Sequence, residues 1–431
     1  MIYGICLGTC SAIAECNNRG EAGIISNPHD FGAKLEASVV YYDSMAGKPL
    51  VGNVAKHMMA SYDGIGQIWR LFKRHVGKEH CETQIQYQGE KRNVSSVEGL
   101  ACILHYLMQY ANLQRKNPVR GAVVAVPVSY TYQQKACVKK AAELAGIELE
   151  GLLPEPIAAA IAYGIQQGET ILVFDLGRET LDVGIVKFAD KDGFGNGRYE
   201  VLGTACDSDL LGEGKNIGGR DWDDALRAIA LRELPELDTN NQFIQNVLAL
   251  ISEDCKKMLS QLTKAPFTFN DHVVNVKRSD FENATMGLVE KCCQVVQLAI
   301  DDAQQKAEAK GEQLSINRFV LIGESSDMPM IRRELRKRFY GKYAQGRTEN
   351  EWIQLCAPEE AVAKGAAIYA HHFEKGTVSF ENKPITTHRI PEEKYLKETV
   401  APLITPEVEN QIKRTIALMD QYETDEFVDS E

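Results

Sequence analysis

The chain has 431 residues, 44% hydrophobic and 25% charged, with a formal net charge of −12. That length allows about two to four domains with cores of their own, and the acidic balance disfavours nucleic acid or an anionic membrane as the main partner. No apolar run approaches the ~20 residues that a bilayer span needs. The opening MIYGICLGTC lacks a basic start and is broken by Gly4 and Gly8, so it reads as a strand and not as a signal peptide. Eleven cysteines without CxxC pairs or zinc-type Cys/His spacing point to reduced thiols in a cytoplasmic protein.

In chain order, the opening strand is followed by strand-like runs at 22–26 and 37–42 and a turn at Gly47, Lys48 and Pro49. Residues 56–73 read as a helix that turns basic at its end and closes at Gly77. Ser95 to Glu98 form a capping box for an amphipathic helix with Leu100, Ile103, Leu104, Leu107 and Tyr110 at helical spacing. A buried strand at 120–126 ends at Pro127, and a helix at 133–145 stops at Gly146. Leu152 to Pro156 then open an Ala-rich helix, with Pro156 in its first turn. This alternation of strand and helix argues for an α/β fold.

Residues 171–187, ILVFDLGRETLDVGIVK, read as a hairpin with a polar turn at 175–180. Such a hairpin offers backbone N–H groups and the Thr180 hydroxyl to an anion, and Asp175 with Asp182 to a hydrated cation. The pattern of apolar strand, Leu-Gly and small polar residues also occurs at 3–10, suggesting two related lobes. Two ordinary, unrelated hairpins are the plainer alternative. Cys6 and Cys10 fall in the first of these turns, where a redox role is the alternative to a simple thiol.

Further along come a Gly-rich loop at 210–219 leading into a helix from Trp222, and a helix at 247–262 carrying Glu253, Lys256, Lys257 and Ser260. A longer amphipathic helix spans 286–310. A strand at 318–322 runs into Gly323, Glu324, Ser325 and Ser326 and a helix at 330–339. Pro358 to Glu360 cap a helix at 361–369. A polar linker (374–393) then leads to one short helix capped by Thr405, with Pro406 first and Val408, Ile412, Ile416 and Met419 as its apolar stripe. Residues 422–431 are acidic and read as disordered.

Five blocks in this order resemble the ATPase domain of the heat shock protein 70 family, within the actin and sugar-kinase superfamily. They are residues 4–10, 72–77, 154–164 (PEPIAAAIAYG), 175–182, and 321–332 followed by 358–367. Residues 218–221, 253–257 and 278–282 add support, so the likeness runs from residue 2 to about residue 370. Block 154–164 is the most specific. The resemblance implies a two-lobed actin-like ATPase fold made of duplicated ribonuclease-H-like domains, with ATP or ADP and Mg2+ between the lobes and a short helical tail. Lobe I would be 1–164 with 351–372, lobe II 165–350, and 373–431 the linker, helix and acidic tail.

The resemblance also implies roles for individual residues. Lys73 would reach the transferring phosphate and the attacking water, and Glu155 would position that water. Asp175, with Asp182, would hold the hydrated Mg2+, and Thr180 would hydrogen-bond phosphate. Gly218 and Gly219 would let backbone approach the ligand, and Gly8, Thr9 and Gly177 would also be among the cofactor-binding residues. Glu253, Lys256 and Ser260 would surround the nucleoside, and Gly323, Ser325 and Glu359 the adenine and ribose end. Such positioning and charge stabilisation is most of what phosphoryl transfer asks of a protein. Singly, each has a plainer reading: Lys73 a solvated helix-end lysine, Glu155 a carboxylate at a helix start, Glu253 with Lys256 and Lys257 a surface ladder.

The chain departs from the family where it would face the nucleotide. Cys6 stands where the family has Asp, and Cys10 where it has Thr, which removes a hard oxygen ligand. Arg178 and Glu179 replace glycines of the central turn, crowding the phosphates unless they swing outward. Glu179 would repel a triphosphate, and a bidentate contact from Arg178 would offset it. Glu324 replaces a Gly and Asp327 an Arg. The expectation is an ATP-binding protein with weak hydrolysis, working with a protein partner of unstated identity. Residues 373–431 are too few for the family's peptide-binding sandwich and lid. The alternatives are a pseudo-ATPase interaction scaffold and, third, an actin-like or sugar-kinase relative.

Overall fold

The computed structural model describes residues 1–42, 49–58, 67–70, 75–77, 83–87, 89–113, 115–189, 198–212, 215–234, 237, 241–344, 346–355, 357–375 and 404–421. They fall into two compact units: Met1–Ala158 with Val362–Glu431, and Ala159–Ala361. Each unit is built on a sheet of one plan. In unit 1 the Tyr3–Leu7 strand pairs antiparallel with Cys10–Cys16, which pairs antiparallel with Ala22–Ile24. On its other side lie Gly121–Val126 and then Glu148–Pro154, both parallel. Unit 2 repeats this order: Thr170–Leu176, antiparallel Leu181–Ala189 and Arg198–Cys206, then parallel Arg318–Ile322 and Ile353–Leu355. The repeat between residues 3–10 and 173–177 is therefore the start of a duplicated α/β sheet.

The central strands are buried on both faces, which suits runs such as GAVVAV (Gly121–Val126) in parallel pairing. In unit 1 the sheet meets the Ala361–Glu374 helix so closely at Gly4 that a Cβ there would lie 2.1 Å from the Ala367 nitrogen. The Ser96–Asn112 and Tyr132–Leu144 helices cover the same unit; Leu100, Ile103, Leu104, Leu107 and Tyr110 are all buried, as their spacing predicts. Ser95 accepts the Glu98 N–H at 3.2 Å, the forward half of the expected capping box.

Some expectations fail. Residues 56–73 are not one helix: Asn53–His57 is helical, and Gln67–Arg70 is a strand paired with Val39–Tyr42. Gly64 and Gly66 weaken a helix there, and Trp69 instead buries its ring against Gly99, where a Cβ would approach within 2.3 Å. Residues 47–48, 59–66, 71–74, 376–403 and 422–431 lie outside the described residues. The Glu148–Pro154 strand and the Lys264–Phe269/His272–Lys277 hairpin were not expected, and the helix expected from 286 begins at Arg278. The last helix, Pro406–Gln421, is packed on unit 1: Ile412, Ile416 and Met419 join that unit's core, with Val408 half-buried beside them.

Gly4 tests the sheet–helix contact directly. Gly4→Ala forces its methyl into the 361–374 backbone, and urea unfolding is expected to show a loss of about 3 kcal/mol.

Candidate functional site

The unit 2 hairpin sets Asp175 directly opposite Asp182 across the Thr170–Leu176/Leu181–Ala189 ladder. Directly opposed residues have Cβ atoms about 4.5–5.5 Å apart, so two carboxylates there repel each other unless a cation lies between or beside them. One or two carboxylates with the remaining positions filled by water is the donor set that Mg2+ prefers. The pair fits that ion; among the described residues no larger group of His, Cys, Asp and Glu gathers that could hold a metal.

The turn itself is closed from within. Gly177 donates its N–H to the Thr180 carbonyl at 3.0 Å, so that N–H is not offered to an anion as the sequence reading expected. Thr180 is half-buried at the turn's end. Buried Asp207 accepts the N–H groups of Leu181 at 3.3 Å and Ile217 at 2.9 Å, pinning the hairpin to the Gly-rich loop.

That loop ends at Gly218, the N-cap of the Gly219–Leu231 helix. Gly219 donates to the Gly177 carbonyl at 3.0 Å and Arg220 to the Arg178 carbonyl at 2.9 Å. The Gly218 N–H goes to the Asp221 carboxylate at 2.8 Å. The first N–H groups of this helix thus bond the hairpin turn and its own side chain. A Cβ at Gly218 would lie 2.3 Å from the Arg178 carbonyl oxygen. Its smallness serves the approach of that turn.

Arg178 points into unit 2. Its guanidinium is ion-paired with Glu253 and lies 3.9 Å from an Asp223 oxygen. Lys256 Nζ sits 2.7 Å from the other Asp223 oxygen and donates to the Gly219 carbonyl at 3.0 Å. Lys257 Nζ lies 3.0 Å from Glu253 and 3.9 Å from Glu324. Asp223, Glu253 and Lys256 are all buried, so the surface-ladder alternative fails for Glu253 and Lys256. Burial opposes the Arg178 charge, but Glu253 and Asp223 outweigh it and hold its pKa above the usual value. Burial pushes the Asp223 carboxyl up, against the pull of Lys256 and Arg178. Ser260 donates its hydroxyl to the Lys256 carbonyl at 3.3 Å. Three side chains of the nucleoside set are therefore engaged within unit 2. Asp223 was not singled out from sequence, since nothing in GGRDWDDAL distinguishes it from its acidic neighbours.

Gly323, Ser325 and Glu359 lie beside this cluster. Gly323 has φ +80°, and a Cβ would meet Asp175 Oδ1 at 2.6 Å, so the third turn touches the hairpin carboxylate. Its N–H donates to the Pro358 carbonyl at 3.3 Å, which brings Glu359 alongside. Ser325 is buried next to Gly219. Glu359 keeps more than a third of its surface exposed, yet partial burial and the charge of Glu324 push its carboxyl up to about 7, with Lys257 opposing. Glu179 lies 4.0 Å from Arg220.

The unit 1 residues are placed as follows. Gly8 donates its N–H to the Cys10 carbonyl at 3.2 Å, and the Thr9 carbonyl accepts the Ser38 N–H at 2.8 Å. Glu155 is buried as the first residue of the Glu155–Ala162 helix. Lys73 lies outside the described residues. Cys6 and Cys10 are half-buried, and none of the nine cysteines among the described residues is in a disulfide. Among the described residues no helix is long and apolar enough to cross a membrane.

The family model described as Hsp70 protein matches residues 2–383. The chain belongs to the Hsp70 family, and its two duplicated sheets are that family's actin-like ATPase fold. It is 29% identical over 387 residues to "Chaperone protein DnaK" of Mycoplasmoides gallisepticum, covering 85% of this chain and 59% of that protein. It is likewise 29% identical over 403 residues to "Chaperone protein dnaK" of Cyanophora paradoxa, covering 86% of this chain and 60% of that one. The chain thus spans about three fifths of the length of these relatives.

Glu359 gives the site a pH dependence. Its folded pKa lies above the ordinary glutamate value, so the folded state holds the proton more tightly and stability falls as pH rises toward 7 and beyond. After allowance for solvent screening, Glu359→Gln is expected to gain about 1 kcal/mol near about pH 8 and nothing below about pH 4. Thermal unfolding at both pH values measures it.

Proposed function

We propose that this chain is an adenine-nucleotide-binding module of the Hsp70 type. It takes ATP or ADP with Mg2+ at the unit 2 hairpin, hydrolyses ATP slowly, and serves a protein partner as a chaperone-type or regulatory module in the cytoplasm. The observation that carries this reading is the Asp175–Asp182 pair at the hairpin turn, in a chain of this family. Those carboxylates hold the hydrated ion and Thr180 hydrogen-bonds phosphate, while Lys73 and Glu155 take the phosphate and water roles. Bound Mg2+ neutralises polyphosphate charge.

A second reading, a pseudo-ATPase scaffold indifferent to nucleotide, is favoured by the Arg178 cluster. Glu253 and Lys256 already have charged partners inside unit 2, so a nucleoside must compete for them.

Titration calorimetry with ATP and Mg2+ separates the two. Weak binding, in the upper micromolar to millimolar range, is expected of the native chain. Arg178→Gly leaves Glu253 and Asp223 short of a cation and is expected to cost about 3 kcal/mol of stability, while ATP affinity rises about tenfold. No heat and no thermal shift at millimolar ATP in either protein establishes the scaffold. Where hydrolysis is measured, Lys73→Ala is expected to abolish it with binding mostly intact; an unchanged rate removes Lys73 from the mechanism.

A further inference from the structure

The Pro406–Gln421 helix has an interface that the nucleotide reading does not use. It lies on unit 1 against the Ser96–Asn112 and Tyr132–Leu144 helices, with Ile404, Ile412, Ile416 and Met419 buried. Beneath it sits Glu98, a carboxylate with no exposed surface. Arg92 Nη1 donates to both Glu98 oxygens at 2.9 Å, and the Tyr42 hydroxyl donates at 3.3 Å. The remaining donors come from the last helix: Gln411 Nε2 at 2.8 Å and the Thr415 hydroxyl at 3.2 Å. Gln411 also reaches the Asn93 carbonyl at 3.2 Å. At the rim, Glu409 lies 3.1 Å from Lys140, and Asp420 lies 2.7 Å from His105 and accepts from Gln109 at 3.0 Å.

Glu98 occupies the third position of its own helix, where a glutamate ordinarily reaches back to cap the first N–H groups. Its oxygens are instead bonded to Arg92, Tyr42, Gln411 and Thr415. A buried carboxylate that lacks part of its donor set is costly, whereas a few apolar side chains against sixteen residues of ordered helix leave little surplus. The polar pair at i and i+4 therefore decides which helix can sit there.

We propose that this face of unit 1 is a receptor for an amphipathic helix, and that Glu98, held by Arg92, is its specificity-determining residue. The helix it selects carries an amide and a hydroxyl four residues apart beside an apolar stripe. Its resident is the Pro406–Gln421 segment, docked reversibly in cis, and the same segment supplied in trans competes for the face.

The test uses the full chain and a fluorescein-labelled synthetic peptide of residues 404–421. Gln411→Glu in the chain sets a second carboxylate against Glu98 and empties the face. Fluorescence anisotropy is expected to show the native peptide binding this variant at least about tenfold more tightly than the native chain, with a peptide carrying Gln411→Glu about tenfold weaker again. Equal affinity of the two peptides, or no binding to a variant whose circular dichroism is native, overturns the proposal. Hydrogen exchange on the native chain covers the case in which the variant does not fold. Amides of 406–421 exchanging well ahead of those of 96–112 support a detachable helix. Exchange of both only on global unfolding overturns it.

Discussion

The candidate site depends on where one guanidinium goes. Arg178 stands in a turn whose backbone is fixed on both sides: Gly177 closes it to Thr180, and the Gly219–Leu231 helix donates to its carbonyls. The side chain is left to choose between the ligand side and the interior, and two buried carboxylates decide. Glu253 and Asp223 without a cation would each carry the cost of a desolvated charge. Lys256 answers Asp223 and the Gly219 carbonyl, and the half-exposed Lys257 lies 3.0 Å from Glu253. Arg178 completes the set, and this charge balance makes an arginine tolerable in a turn that the family builds from glycines.

The same constraint explains why the altered turn does not break the fold. Gly218 and Gly323 are kept where backbone must pass within bonding distance of the hairpin, one against Arg178 and the other against Asp175. Positions 178, 179 and 324, which carry side chains here, direct them to Glu253, Arg220 and Lys257. At these three positions the side chain has an ion partner within unit 2. At the other end of the turn, Asp175 and Asp182 stand opposite each other across the ladder.

Much of this was legible in the sequence, for reasons that differ by element. The 171–187 hairpin announced itself through β-branched and aliphatic runs on either side of a polar turn holding Gly177, and its counterpart at 3–10 gave away the duplicated sheet. The Ser96–Asn112 and Pro406–Gln421 helices followed from cap residues and apolar spacing. The Lys264–Lys277 hairpin also carried a signal that went unread: Ala265, Phe267 and Phe269 alternate inward, then an Asn-Asp turn with Asn270 at φ +51° precedes Val274 and Val276. The Gln67–Arg70 strand was harder. Its place depends on Trp69 finding Gly99, a contact with a residue thirty positions away that no local pattern encodes.

The ion cluster and the Glu98 network share that last difficulty, and for the same physical reason. A charged residue on a helix reads as solvated until its partners are known, because spacing reports which face it is on but not what covers that face. Glu253 with Lys257 four residues on has the spacing of a surface ladder, yet Glu253 is buried because Arg178 arrives from another strand pair. Glu98 looks like half of a capping box, yet its carboxylate is claimed by Arg92 and by a helix more than three hundred residues later. In both cases long-range partners, the Arg178 cation for Glu253 and the Gln411 and Thr415 donors for Glu98, turn a locally ordinary glutamate into the centre of a buried network. The positions at which this chain differs from its family are thus read through their partners, and those partners lie far off in sequence.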